Sequence, residues 1–286
     1  MGDSLSSTSP SMASSDEMSA DVGRRADVAR HLVSFGKGVA GIAGATLLWE
    51  LGRTFGVLPS RLAPGITDIG RAMVDGFSAS GNLTDALVIT VDAWARGLAA
   101  AILVAVPLGA AIGVSRWADA ATHVLIEFIR PIPAVALIPV AIVLFGLQTS
   151  MQVSLIAFAC IWPILFSTRY GVRNVDPLFH DTAKVMGVSD LGRAWKVTAP
   201  AALPAVFTGI RTAASIGIVV AIAAQIVAGA PGLGFQLSRM QQGGNVPGAF
   251  AALVVTGILG YMVNLVMGWA EKRLAGWQHE MTERTR

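Results

Sequence analysis

An all-α, polytopic membrane protein is the fold class this sequence predicts, and three observations carry the prediction. Of its 286 residues, 53% are hydrophobic and only 14% charged, too apolar and too sparsely charged for an ordinary soluble domain. Apolar runs able to cross a hydrocarbon core of roughly 30 Å, which takes about 20 helical residues, fall at six places. Between the fourth and fifth runs lies one short polar segment, DTAKVMGVSDLGRAWKVTAP from Asp181 to Pro200, punctuated like two helices around a turn.

Taken in order, residues 1–30 are rich in Ser with scattered Met, Asp and Ala. They hold no apolar stretch that would serve as a signal-peptide core, so they are expected to form a disordered cytoplasmic tail. The membrane domain is expected over 31–273, with a second cytoplasmic tail over 274–286. Its six spans are placed at Gly38–Leu51, Leu98–Val114, Ala121–Leu147, Val153–Ser167, Ala205–Ala228 and Ala249–Ala270. The first and fourth are short as written and extend by a turn or two. Gly56–Leu83 and Ala230–Pro247 are the longest segments on the opposite face, with Gly and Pro suited to turns and short surface helices. Within the second, Leu233–Met240 reads as a short plug-like helix at an outer gate.

Orientation follows from the basic residues, which accumulate on the cytoplasmic side of membrane proteins. With six crossings, both termini and the Asp181 segment share one side. Arg116, Arg169, Arg173, Lys184, Arg193, Lys196, Lys272 and Arg273 fall there together with the basic residues of the tails, against only Arg53, Arg61, Arg71, Arg96 and Arg239 opposite. That side is the cytoplasm. The juxtamembrane positions of these charges are explained by the membrane surface and its lipids, so the formal net charge of +3 does not argue for nucleic acid.

Several chemistries are excluded. No GxxxxGK[ST] phosphate loop is present, and Gly36, Lys37 and Gly38 do not supply its spacing. His31, His123, His180 and His279 are dispersed, Cys160 is the single cysteine, and no nucleophile has a base and orienter beside it. The chain is therefore expected to be no enzyme and to hold no metal or cofactor. If ATP drives it, hydrolysis takes place in a partner chain.

The polar segment is built to fold locally. Asp176 is a helix cap, Pro177 fits a first turn that needs no donor, and Gly187 supplies the left-handed residue that ends the helix. A second short helix is expected from Ser189 or Asp190 through Leu191, Ala194, Trp195 and Val197, stopping before Pro200. On these residues alone the segment is equally an ordinary amphipathic connector. Asp181, Thr182, Ala183, Gly187, Val197 and Pro200, however, fall at the spacing of the EAA loop of permease subunits from binding-protein-dependent ABC importers. Asp181 stands where that motif has Glu, Thr182 where it has Ala, Val197 where it has Ile and Ala199 where it has Leu, which leaves the size and polarity pattern intact. From about Leu58 to Arg273 the stretches LPSRLAPG, VPLGAAIGVSRW, IRPIPAVALIPVAIVLFG, WPILFSTRYGVRNVDP and PGLGF resemble the branch that imports sulfonates, taurine, nitrate or bicarbonate. The resemblance implies the type I importer architecture and a coupling helix within 174–203 seated in a cleft of the ATPase. It also implies two ATPase subunits carrying ATP and Mg, an extracytoplasmic substrate-binding protein and a second permease, most economically another copy of this chain. Similar permeases also serve a thiamine-precursor pyrimidine.

Within the spans, ionisable residues are expensive and therefore candidates for function. Glu127 and Arg130 lie at ion-pair spacing on one helix face, followed by Pro131, Pro133 and Pro139, which remove backbone donors and loosen the helix. Two readings stand: the pair neutralises itself and kinks the helix, or Arg130 adds positive potential to a path for an anion. Asp92 and Arg96 are four apart and are expected to anchor an interfacial helix, while Arg211 is expected to snorkel to the cytoplasmic interface. Gln225 sits deep in its span, where related sequences often have Glu, and either lines the path or holds helices together. Gly97, Ala101, Gly109 and Gly113 form a face for close helix approach. Two rivals to the importer remain: an ion-gradient carrier using Glu127, Arg130 and broken helices, and a membrane scaffold that recruits an ATPase through the same loop.

Overall fold

The computed structural model describes residues 37, 38, 40, 41, 43–57, 59, 63–78 and 81–275; the two expected tails lie outside them. The chain divides into two units, Met1–Ile66 and Thr67–Arg286. In the first, residues 43–54 are helical (α1) and Gly56 closes the helix at φ +73°. Trp49 donates its indole N–H to the Pro64 carbonyl at 3.1 Å, and Glu50 pairs with Arg53 at 2.8 Å, which ties the segment before residue 66 back to the helix.

In the second unit the chain runs through α2 (Ile66–Phe77), α3 (Leu83–Val114), α4 (Arg116–Ile129), a 3-10 turn (Ala134–Leu137) and α5 (Ile138–Phe145). It continues through α6 (Thr149–Arg173), α7 (Pro177–Val185), α8 (Asp190–Arg193), a π-helical segment (Ala194–Thr198), α9 (Ala199–Ala228), α10 (Leu233–Gln242) and α11 (Val246–Ala275). Every described element is helical. Among the described residues four helices are long and apolar enough to cross a membrane: α3, α6, the continuous Asp190–Ala228 run that contains α9, and α11. The bent pair α4 and α5 makes a fifth if counted as one broken span. The expected sixth, over 38–51, falls on α1 and on residues described only in part.

In lipid the hydrophobic effect does not drive one apolar helix onto another, so association rests on close packing and polar contacts. The core is built accordingly. α6 lies between α3, which runs parallel to it, and α9, which runs antiparallel. At Gly97 an added Cβ would come within 2.6 Å of Ile156, at Gly109 within 2.7 Å of the Leu165 carbonyl, and at Gly113 within 2.9 Å of Val172. Across the other seam Gly209 meets Ser167 and Gly217 meets Cys160 in the same way. The expected small-residue face of α3 is thus the α3–α6 seam. Ile156, Cys160, Ile164, Leu165, Ala213 and Ala221 fill the space between the three helices. A smaller cluster of Leu83, Leu233, Ala252 and Val255 fixes α10 and α11 to the start of α3.

Two expectations are corrected. Residues 121–147 do not form one continuous helix: α4 ends at Ile129, and α5 leaves it at 76°. Pro131 and Pro133 offer no N–H, so the chain resumes with tight Ile132 to Ile129 and Ala136 to Pro133 turns instead of a helical ladder. The second helix of the polar segment, in turn, does not stop before Pro200. The Ala199 N–H donates to the Ala194 carbonyl, five residues back, and this wide turn lets Pro200 sit in the first turn of α9 without breaking the run.

Candidate functional site

The polar segment emerges where α6 ends and α9 begins. The Asp176 carboxylate accepts from the Leu178 N–H at 2.9 Å and Pro177 opens α7. At its other end the Val188 N–H bonds to the Ala183 carbonyl and the Gly187 N–H to Lys184, both at 3.0 Å, with Gly187 left-handed at φ +75°. The Ser189 hydroxyl then accepts from the Gly192 N–H at 3.2 Å and starts α8. Both helices are capped where the residue types predict, so the turn is rigid without outside help.

Asp181 and Thr182 are exposed on α7, Thr182 donating to the Leu178 carbonyl; Ala183 is buried against the body, and Val197 and Pro200 are half-buried. The structure therefore gathers the six motif residues into one element, with Asp181, Thr182 and Gly187 outward and the other three as its footing. Sequence reasoning missed the apolar tip: Val185 is 89% and Met186 77% exposed, joined by Leu178, Phe179, Leu191 and Trp195. The signal was present in the pairing of Val185 and Met186 with a turn glycine, which forces both outward. Beneath the turn lies a cavity of about 690 Å³ bounded by Val114, Val172, Arg173, His180, Asp181 and Asp190.

At the break between α4 and α5, Glu127 and Arg130 do not pair, contrary to expectation. Arg130 is the residue on which α4 ends, and its guanidinium lies over the Phe166 ring, 4.6 Å from the centroid. Both side chains are exposed. Pro131 and Pro133 make the break itself. Asp92 and Arg96 pair at 2.8 Å as their spacing predicts.

Gln225 is 0% exposed and fully engaged. Its amide NH2 donates to Gln152 Oε1 at 3.0 Å and to Thr90 Oγ1 at 3.1 Å, and its carbonyl oxygen accepts from the Gly234 N–H at 2.9 Å. Thr90 Oγ1 also accepts from the Leu233 N–H, and the Gln152 amide donates to the Pro231 carbonyl, each at 3.0 Å. Thr90 on α3 and Gln225 on α9 thus satisfy the first N–H groups of α10, which a helix cannot satisfy itself, while Gln152 on α6 binds Gln225 and the Pro231 carbonyl just before that helix. Of the two readings of Gln225, the geometry is that of a pin between helices.

Two charged clusters had no sequence signal because their members are far apart in the chain. Asp119 at the start of α4 binds Arg169 at 2.6 Å and Arg173 at 2.5 Å, both at the end of α6. Arg211 on α9 donates from Nη1 to Glu271 at 3.0 Å and from Nε to Asn264 at 3.1 Å, both on α11, and Glu271 stands next to the Lys272 and Arg273 that close that helix. No group of His, Cys, Asp and Glu able to hold a metal occurs among the described residues.

A bundle of parallel and antiparallel apolar helices in close contact through glycines thus carries a capped helical turn with an apolar tip between α6 and α9. Residues 98–276 match the family of binding-protein-dependent transport system inner membrane components. The chain is 28% identical over 242 residues to the bicarbonate transport system permease CmpB of Synechococcus elongatus, covering 82% of this chain and 87% of that one. It is 29% identical to the taurine permease TauC of Escherichia coli, covering 64% and 67%, and 28% identical to the nitrate import permease NrtB of Leptolyngbya laminosa, covering 63% and 64%. Its fold matches a chain of the inward-facing MetNI methionine ABC transporter with a TM-score of 0.60 at 17% identity, over 67% of this chain and 95% of that one. This chain belongs to the binding-protein-dependent transport system inner membrane component family.

Proposed function

We infer that the chain is the membrane-spanning permease subunit of an ATP-driven importer that carries a small anionic solute of the sulfonate, taurine, nitrate or bicarbonate class, delivered by a binding protein. The observation that carries this reading is the apolar tip at Val185 and Met186, exposed on a turn that its own caps hold rigid. Six large apolar side chains on a loop outside the membrane are a surface made to be covered by protein. In this reading residues 31–273 are the permease domain, and the coupling segment lies within 174–203. Asp181, Thr182 and Gly187 meet the ATPase, and Ala183, Val197 and Pro200 hold the segment to the bundle. The names of the bicarbonate, taurine and nitrate relatives support an anion as the solute.

The rest of the assembly follows from one coupling segment per chain. Two copies of the permease engage two ATPase subunits, which bind ATP and Mg, while this chain needs no cofactor and performs no covalent chemistry. The binding protein docks on the outer face, and the chain sits in the cell inner membrane with both termini in the cytoplasm. Closure of the ATPase pair draws the two turns together. The Asp190–Ala228 run carries that motion into α9, and the bundle shifts between an inward and an outward state biased from both faces. The break at Pro131 and Pro133, with Glu127 and Arg130 exposed beside it, is a bend in the wall of the path; Gln225 acts as the pin described above.

The test is mass spectrometry of what co-purifies with a tagged copy gently extracted from its native membrane, beside Gly187→Trp and Met186→Asp variants. The expected result is an ATPase subunit with the native chain and its loss with both variants. A native chain that purifies without an ATPase, where other membrane complexes survive, sinks the reading and turns attention to gradient-driven uptake.

A further inference from the structure

α9 is a 30-residue helix in which one face is polar: Thr208, Arg211, Thr212 and Ser215 recur at helical spacing. The opposite face, with Val206, Gly209, Ala213 and Gly217, is buried against α6. On the polar face Thr208, Thr212 and Ser215 are exposed, and the Arg211 side chain is 43% exposed. Arg211 lies six residues beyond Ala205, where the span is placed to begin, about 9 Å along the helix at 1.5 Å per residue, in the inner third of a hydrocarbon core of roughly 30 Å. Its partner Glu271, beside Lys272 and Arg273 at the end of α11, marks the same level. Gly209, beside Arg211 in the chain, packs on Pro163 and Ser167 in the interior of α6, which puts the same depth on the neighbouring helix.

A guanidinium at that depth is not a lipid-facing group, and intramembrane ionisable residues face a bundle interior or a water-filled cavity. Here the cavity is present. About 440 Å³ of open space is bounded by Thr208, Arg211, Thr212, Ser215, Asn264 and Glu271. A second cavity of about 700 Å³ is bounded by Phe166, Arg169, Tyr170 and Arg173 at the C-terminal end of α6. The two share Thr208 and are bounded between them by three arginines. Of these, Arg169 has its Nε buried without an acceptor.

Arg211 itself is held and aimed. Asn264 and Glu271 take its Nε and Nη1, while Nη2 has no acceptor among the described residues. Glu271 is steadied in turn by the Thr208 hydroxyl at 2.9 Å. The Ser215 hydroxyl points back to the Arg211 carbonyl at 3.4 Å, a long bond that a better acceptor would displace.

We propose that the Thr208, Arg211, Thr212 and Ser215 face of α9 lines the solute path and that Arg211 is its anion contact, positioned by Asn264 and Glu271. The free guanidinium edge and the adjacent hydroxyls suit a small oxyanion, a carboxylate, sulfonate or nitrate, which accepts from both. This rests on the importer reading and names the residue that gives it charge selectivity, a role that the sequence alone placed at Arg130.

The experiment uses the full chain in inside-out native membrane vesicles with its partner subunits. Thr212→Cys is introduced in a Cys160→Ala background, and Ser215→Cys in parallel. Each is treated with two thiol reagents of similar size, the anionic sulfonatoethyl and the cationic trimethylammonioethyl methanethiosulfonate, and labelling is read by mass spectrometry of the permease. Both reagents are expected to react, and the anion-to-cation ratio of rates is expected to fall about tenfold when Arg211→Gln is added and to recover with Arg211→Lys. Should Arg211→Gln fail to accumulate, the ratio in the Arg211 chain is compared between low salt and 1 M salt, where screening should shrink it several-fold. Silence toward both reagents overturns the proposal, because the face then meets lipid or the second copy. A ratio indifferent to Arg211 and to salt overturns it too. ATPase co-purification from the same membranes separates the two readings: ATPase present with a flat ratio sinks only the anion contact, and ATPase absent with a sensitive ratio sinks only the coupling.

Discussion

At the scale of single residues, the buried polar groups decide more than the charged ones. Gln225 makes three hydrogen bonds in a site closed to water, and removing it leaves Gln152 Oε1 and the Gly234 N–H without partners and takes one bond from Thr90, which keeps those to Ala86 and Leu233. A buried group left unsatisfied costs about 1 to 3 kcal/mol, so Gln225→Leu is expected to lower the thermal midpoint of the detergent-solubilised protein by several degrees. The same variant should speed hydrogen exchange at Leu233 and Gly234, whose N–H groups lose their acceptors or the order around them. Unchanged exchange there would show that α10 does not depend on the pin. The side chain was visible in the sequence as a deep polar residue, but its partners were not. Thr90, Gln152 and Gly234 are drawn from three other parts of the chain, and nothing in local spacing reports a contact at such separation. Arg211 and Glu271, sixty residues apart, escaped notice for the same reason. The Glu127 and Arg130 spacing, by contrast, suggested a pair, but Arg130, still helical in its backbone, lays its guanidinium over the Phe166 ring instead.

At the scale of elements, the seam between α3 and α6 is the place where the backbone has no room. A methyl added at Gly109 would lie 2.7 Å from the Leu165 carbonyl, and backbone cannot yield as a side-chain tip can. Gly109→Ala is therefore expected to spread α3 from α6 and to reduce the yield of folded protein on size-exclusion chromatography. Gly257→Ala on α11, where nothing lies within 4 Å, should be neutral or slightly stabilising, because a helical Gly costs roughly 0.5 to 1 kcal/mol relative to Ala. Equal behaviour of the two variants would count against glycine packing as the glue of this bundle. Most of the elements were legible beforehand. Apolar length placed α3, α6, α9 and α11, and cap chemistry at Asp176, Gly187 and Ser189 placed the turns of the polar segment. The prolines at 131 and 133 announced a break without giving its 76° angle, since the angle is set by what α4 and α5 pack against. Pro200 misled outright: the rule that proline ends a helix assumes an α-helical turn before it, and the π turn at Ala194–Thr198 removes that premise.

At the scale of the whole molecule, that π turn joins the surface proposed to meet the ATPase to the helix proposed to line the path. Asp190–Ala228 is a single run of 39 residues, so a displacement of α8 is delivered to α9 as to a rod. Its weakest point is the stretch where the helical ladder is widened, from Ala194 to Thr198. Ala194 and Lys196 are exposed there, so glycine at both positions removes no core packing and adds about 1 kcal/mol of helix-breaking tendency at each. If the rod transmits the stroke, trapping the assembled transporter with ATP and vanadate should change the labelling rate of Thr212→Cys on α9, whereas the double variant Ala194→Gly, Lys196→Gly should keep its ATPase and its hydrolysis but lose most of that change. A double variant that hydrolyses ATP and still shows the full change in labelling would mean that the motion reaches α9 by another route, through α6 and the Asp119 cluster at its C-terminal end. In that event Asp119→Asn, which frees Arg169 and Arg173 from the start of α4, becomes the variant expected to abolish it.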